Sequence, residues 1–131
     1  MPLVQLVIAL ALAQFFFFLF AVGKARATYK VVAPATTGNE VFERYFRVQM
    51  NTLELLVMFV PAIIMFAQFF GAYLAAALGV VYLIGRFIYF TTYVKDPKSR
   101  SAGYGLSALP IMIFIVGALV GAIRAALASF S

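Results

Sequence analysis

The sequence has no cysteine and no histidine. Without cysteine there is no disulfide, no thiolate metal site and no cysteine nucleophile. Without histidine the commonest general base and the commonest metal ligand are gone. Acidic residues are scarce too. Glu40, Glu43, Glu54 and Asp96 are the full set, too few for a carboxylate metal cage, so no metal is expected. Charged residues make up 11% of the 131 positions, against about 25% in an ordinary soluble domain. In their place, 66% of the chain is hydrophobic and the mean hydropathy is +1.06. A soluble globular fold has nowhere to put so much apolar surface. An aromatic content of 17% excludes disorder, which is poor in such residues.

The apolar residues fall into blocks of membrane-spanning length. The first runs from about Leu3 to Val22, broken only by Gln5 and Gln14. Twenty helical residues rise about 30 Å, enough to cross the hydrocarbon core. A cleaved signal peptide carries its positive charge ahead of the apolar run. Here Lys24, Arg26 and Lys30 follow it, so a retained span is expected. Turn and breaker residues Pro34, Thr36, Thr37, Gly38 and Asn39 then lie in a loop beginning at Gly23. Glu40 and Glu43 suit a helix start, where the dipole favours acids. The second helix is predicted over about 40–70, with Pro61 kinking it. Gly71 marks a tight turn, and a third helix covers about 72–93. Pro97 interrupts the basic stretch Lys95–Arg100, and a fourth helix covers about 103–128. That helix contains Gly117-x-x-x-Gly121, a spacing that lets membrane helices approach closely. The expected fold is an all-α integral membrane protein, a single four-transmembrane-helix up-down bundle.

The +6 net charge is concentrated in two connections. Lys24, Arg26, Lys30, Arg44 and Arg47 surround the first, and Lys95, Lys98 and Arg100 lie in the third. An up-down bundle puts both on one side of the membrane. By the positive-inside rule that side is the cytosol, and the N- and C-termini face away from it. The membrane is a bacterial inner membrane or the endoplasmic reticulum. The same rule accounts for the basic residues without nucleic acid, which is not an expected partner.

Several polar side chains share helical stripes at the cytosolic ends. Arg47, Asn51 and Glu54 are spaced i, i+4, i+7 on the second helix, and Arg86, Tyr89 and Tyr93 are spaced i, i+3, i+7 on the third. A structural Arg86–Glu54 ion pair between helices, with the tyrosines as interfacial anchors, is one reading. The other is a site for a ligand carrying several anionic groups and one cation, because Arg26, Arg47, Asn51, Tyr89, Tyr93 and Arg100 supply many donors and Glu54 a single carboxylate.

The stretch Phe42-Glu43-Arg44-Tyr45-Phe46-Arg47-Val48-Gln49-Met50-Asn51-Thr52-Leu53-Glu54 resembles the second-helix signature of the MAPEG family, membrane-associated proteins in eicosanoid and glutathione metabolism. The resemblance extends back through Gly23-Lys24-Ala25-Arg26 and forward through Gly85-Arg86-Phe87-Ile88-Tyr89-Phe90-Thr91-Thr92-Tyr93 to Arg100. Within the family it is similar to the microsomal glutathione transferase and leukotriene C synthase branch. The resemblance implies a homotrimer with glutathione bound between neighbours. It assigns Arg26, Arg47, Gln49, Asn51, Glu54, Tyr89 and Tyr93 to glutathione binding and Arg100 to the sulfur as the catalytic residue, while Arg86 supports the site from within the bundle. A cation at a thiol lowers its pKa from about 8.5 and raises the thiolate fraction at neutral pH. Such a protein needs no base of its own, in keeping with a chain lacking histidine and cysteine. The second substrate would be a lipophilic electrophile or lipid hydroperoxide arriving through membrane lipid, in transferase or glutathione peroxidase chemistry. Two departures stand out. Leu55 and Leu56 follow Glu54 where catalytic relatives commonly carry tyrosine, and the nearby proline is displaced to Pro61. They leave a non-catalytic lipid-binding or scaffold member of the family as the alternative. A small channel is a further alternative, weakened because the polar stripes stop halfway across the bundle.

Overall fold

The computed structural model describes residues 1–131. It contains four long helices and no strand: α1 (Pro2–Tyr29), α2 (Glu40–Phe70), α3 (Ala72–Lys95) and α4 (Ser101–Ala128), with one 3-10 turn over Pro97–Ser99 ahead of α4. Each of the four is long and apolar enough to cross a membrane.

The core is aromatic and aliphatic. Phe59 of α2 stacks on Tyr82 of α3 at 4.1 Å between ring centroids, and Phe114 of α4 meets Phe59 at 6.0 Å. Val4, Val7 and Ala11 close the same cluster from α1. The outer surface is also apolar: Phe16 is 67% exposed, Phe20 68% and Tyr73 83%. Lipid tails are as apolar as these side chains, so close packing rather than water exclusion must hold the helices together. Glycines supply that closeness. A Cβ on Gly85 of α3 would come within 2.7 Å of the Ser107 backbone nitrogen on α4, and one on Gly103 would strike the Tyr89 backbone. Gly117 and Gly121, the small-residue pair of α4, seat the rings of Phe66 and Phe69 from α2.

Local chemistry fixes the connections. Asn39 caps α2, its side-chain oxygen accepting from the Phe42 amide at 3.0 Å. Gly71 alone joins α2 to α3 at φ 100°, a left-handed backbone that favours glycine. The Asp96 side chain accepts from the Lys98 amide at 3.1 Å and opens the 3-10 turn. The first loop begins later than the sequence reading placed it. Residues 23–29 continue α1, because Val22 and Ala25 are buried against Val31 and Phe42. At the other end of that loop, Arg44 donates to the carbonyls of Val94 at 3.2 Å and Lys95 at 3.3 Å. This ties the start of α2 to the end of α3, so the two basic connections share one end of the bundle.

Candidate functional site

At that end, between α2, α3 and the start of α4, lies a cavity of about 500 Å³. Arg47 and Asn51 enter it from α2, one helical turn apart, and Tyr89 and Tyr93 from α3. Arg100, Ser101, Tyr104 and Gly105 enter from the N-terminal end of α4. The Tyr89 and Tyr93 rings stack at 5.2 Å, which makes a flat wall on α3. Arg47 and Arg100 are exposed, Asn51 is half-buried and Tyr89 is 4% exposed. No acidic side chain lines the cavity. Its chemistry is therefore that of a donor site. Guanidinium groups grip carboxylates through paired N–H donors, and phenols and a hydroxyl add single bonds.

Behind the cavity is a fully buried guanidinium. Arg86 is 0% exposed. Its Nε donates to Ser107 Oγ at 2.8 Å, and its Nη1 donates to Asn51 Oδ1 at 2.7 Å and Thr52 Oγ1 at 3.1 Å. Its Cζ lies 4.5 Å from the centroid of the Tyr89 ring. The Arg86–Glu54 ion pair of the first structural reading is not formed. Glu54 is exposed, and three neutral oxygens take the place of a carboxylate. The rotation of α2 against α3, set by packing, explains this. Glu54 is on the outer side of α2, whereas Asn51 and Thr52 face α3.

The cavity thus brings together Arg47, Asn51, Tyr89, Tyr93 and Arg100 of the expected set, with Arg86 directly behind. It does not include Arg26, Gln49 or Glu54. Arg26 is engaged in the first loop, donating to the carbonyl of Ala35 at 2.8 Å with its guanidinium 4.8 Å from the Phe42 ring centroid. Gln49 is half-buried on another side of α2. The sequence reading missed Ser101 and Tyr104. Tyr104 follows Arg100 at i+4, a spacing that puts both on one helical face and could have flagged it. Leu55, the residue that departs from the signature, is 4% exposed and belongs to the core cluster. Elsewhere, an apolar groove of about 440 Å³ runs between α1 and α3, lined by Leu10, Ala13, Phe17, Leu83 and Phe87 together with Gln14. Gln14 is itself buried, its Nε2 donating to the Leu83 carbonyl at 2.9 Å.

Four apolar helices of membrane-spanning length, three of them lining a cationic, acid-free cavity at one end of the bundle, define an integral multi-pass membrane protein with a polar site at one end. Residues 4–120 match the MAPEG family, and the chain belongs to it. It is 46% identical over 115 residues to an uncharacterized protein of Synechocystis, an alignment covering 88% of this chain and 84% of the relative. It is 40% identical over 111 residues to human microsomal glutathione S-transferase 2, covering 84% of this chain and 76% of that one. It is 33% identical over 105 residues to bovine leukotriene C4 synthase, covering 80% and 70%. A link to glutathione chemistry is therefore supported at the level of the family.

Proposed function

We propose that this protein is a membrane-embedded glutathione transferase that activates the glutathione thiol and conjugates it to a lipophilic electrophile. The observation that carries the proposal is the convergence of Arg47, Asn51, Tyr89, Tyr93 and Arg100 on one acid-free cavity at the membrane boundary. Relatives named as glutathione transferases support it. Glutathione has two carboxylates, and the cavity offers Arg47, Asn51 and the tyrosine hydroxyls to hold them. Arg100 is the remaining cation and the residue assigned to the sulfur. Beside a thiol, a guanidinium favours the anionic form. The thiol proton leaves to water, the sulfur attacks the electrophilic carbon, and a C–S bond forms as the leaving group departs with its electron pair. The groove between α1 and α3 suits the alkyl part of a substrate entering from lipid.

A homotrimer belongs to the same proposal. Glu54 is exposed on the apolar stretch of α2, and a carboxylate at that depth is costly unless paired or wet. A neighbouring copy would cover Glu54 and bring a second source of Arg26 and Gln49 toward the cavity. Glu54 would then meet the glutathione ammonium.

The test is a glutathione titration of detergent-purified protein at neutral pH, followed by the ultraviolet absorbance of the thiolate. The expected result is a saturable rise that Arg100→Ala abolishes while the protein remains folded. No binding at millimolar glutathione would overturn the transferase reading in favour of the lipid-binding or scaffold role.

A further inference from the structure

We infer that Arg86 is a positioning residue: it fixes the side-chain amide of Asn51 with its NH2 group toward the cavity, so that the site accepts only an acceptor oxygen at that point. The argument begins from what arginine lacks. A guanidinium has donors and no acceptor, so whichever Asn51 atom faces Arg86 must be the oxygen. Arg86 Nη1 meets Asn51 Oδ1 at 2.7 Å. The other two partners are locked in the same sense. Thr52 Oγ1 gives its hydrogen to the Val48 carbonyl at 2.7 Å, and Ser107 Oγ gives its hydrogen to the Gly103 carbonyl at 2.7 Å. Each hydroxyl is left with lone pairs only, and those lone pairs face Arg86. Every bond around the buried guanidinium therefore runs outward from it.

Asn51 is the member of this network that also lines the cavity. With its oxygen held from behind, its two N–H donors are the part left for a ligand. A guanidinium pulling on the amide oxygen also polarises the amide and strengthens those donors. The positive charge of Arg86 is thus relayed to the cavity through a neutral side chain, without the guanidinium itself being exposed. A carboxylate or peptide carbonyl oxygen fits this point, and an ammonium or a hydroxyl hydrogen does not. That the oxygen belongs to glutathione rests on the function proposed above. The orientation of Asn51 does not.

The experiment uses the full-length protein in detergent, labelled with 15N only at asparagine. Asn39 and Asn51 are the asparagines of the chain, and Asn39→Asp identifies the Asn39 side-chain amide by its loss. The Asn51 amide protons are expected to exchange magnetisation with cavity water in the absence of ligand. Asn51 amide protons shielded from water would overturn the inference. The second arm measures glutathione affinity per folded protein in Arg86→Lys and Arg86→Gln. Lysine also only donates, so it keeps the Asn51 oxygen facing inward and should retain binding. Glutamine can accept, which frees the Asn51 amide to turn, and affinity should fall by about tenfold or more. A purely structural Arg86 would lower both variants in parallel with their thermal midpoints. Equal affinity of the two variants overturns the inference. Asn51→Asp keeps a partner for Arg86, so folding survives, but replaces the donor with a second oxygen. It should lose glutathione at an unchanged or raised thermal midpoint, and normal binding by this variant also overturns the inference. A wild type with a water-facing Asn51 amide and no glutathione binding would overturn the transferase reading and leave the orientation standing.

Discussion

Arg100 stands at the N-terminal end of α4, exposed, beside Ser101 and one turn from Tyr104. Its proposed task is electrostatic, and the sign of that effect can be tested. A cation beside the thiol favours the thiolate, which lowers the thiol pKa below its usual value of about 8.5. The conjugation rate of the wild type should therefore level off at a lower pH than that of glutathione in water. Removing the cation by Arg100→Ala should move the inflection of the pH–rate profile up toward about 8.5 and cut the rate at neutral pH by about tenfold or more. Arg100→Lys keeps the charge without the planar fork and should hold the inflection low while weakening glutathione binding. An unmoved inflection in Arg100→Ala would remove Arg100 from the sulfur and make Tyr104, one helical turn on and lining the same cavity, the group to examine next. The roles proposed for Asn51 and Arg86 differ from that of Arg100, resting on hydrogen-bond direction rather than charge at the reacting atom.

Helix contacts set the shape of the cavity. Residues from α3 and α4 both line it, and those helices approach backbone to backbone at Gly85 and Gly103. Gly103 lies against Tyr89, the residue whose ring forms part of the wall and packs on Arg86. A methyl group there cannot be absorbed by a side-chain shift, because what it meets is main chain. Gly103→Ala should push α4 away from α3, destabilise the protein by about 1–3 kcal/mol and lower its thermal midpoint in detergent. Glutathione binding should fall with it, because Arg100 and Tyr104 ride on the displaced end of α4. Gly105 makes the control. A Cβ there meets nothing within 4 Å, so Gly105→Ala should leave the thermal midpoint unchanged or slightly raised. If the midpoint of Gly103→Ala were unchanged, the close α3–α4 approach would not be what holds the cavity.

The molecule as a whole has one basic end and one nearly neutral end. Lys24, Lys30, Arg44, Lys95 and Lys98 cluster around the connections tied together by Arg44, while Arg124 is the basic residue near the other end. Cytosolic placement of the basic end should leave both termini on the opposite side. Protease or tag accessibility in sealed vesicles reads this directly, and termini reached from the cytosolic side would reverse the orientation. Native mass measurement in detergent should give a trimer. A monomer that binds glutathione with full affinity would remove Arg26 and Gln49 from the site, since neither lines the cavity of one chain.

The helices themselves were legible in the sequence because membrane spans are local objects. Nearly continuous apolar stretches of roughly twenty residues, punctuated by Gly71 and Pro97, define an element without reference to its neighbours. The polar stripes were legible too, since helical register alone puts Arg47 with Asn51 and Arg86 with Tyr89. What register cannot give is the rotation of each helix against the others. That is decided by which faces pack, here by Gly85 and Gly103 bringing α3 onto α4 and by Phe59 stacking on Tyr82. That packing turned Glu54 outward, buried Leu55 and gave Arg86 three neutral oxygens from two other helices in place of a carboxylate. It also carried Tyr104 into the cavity. The sequence by itself determined the four spans and their chemistry, because those follow from nearest neighbours along the chain. Only the tertiary structure decided which donor meets which acceptor, because a hydrogen bond between helices depends on distances that no single helix contains.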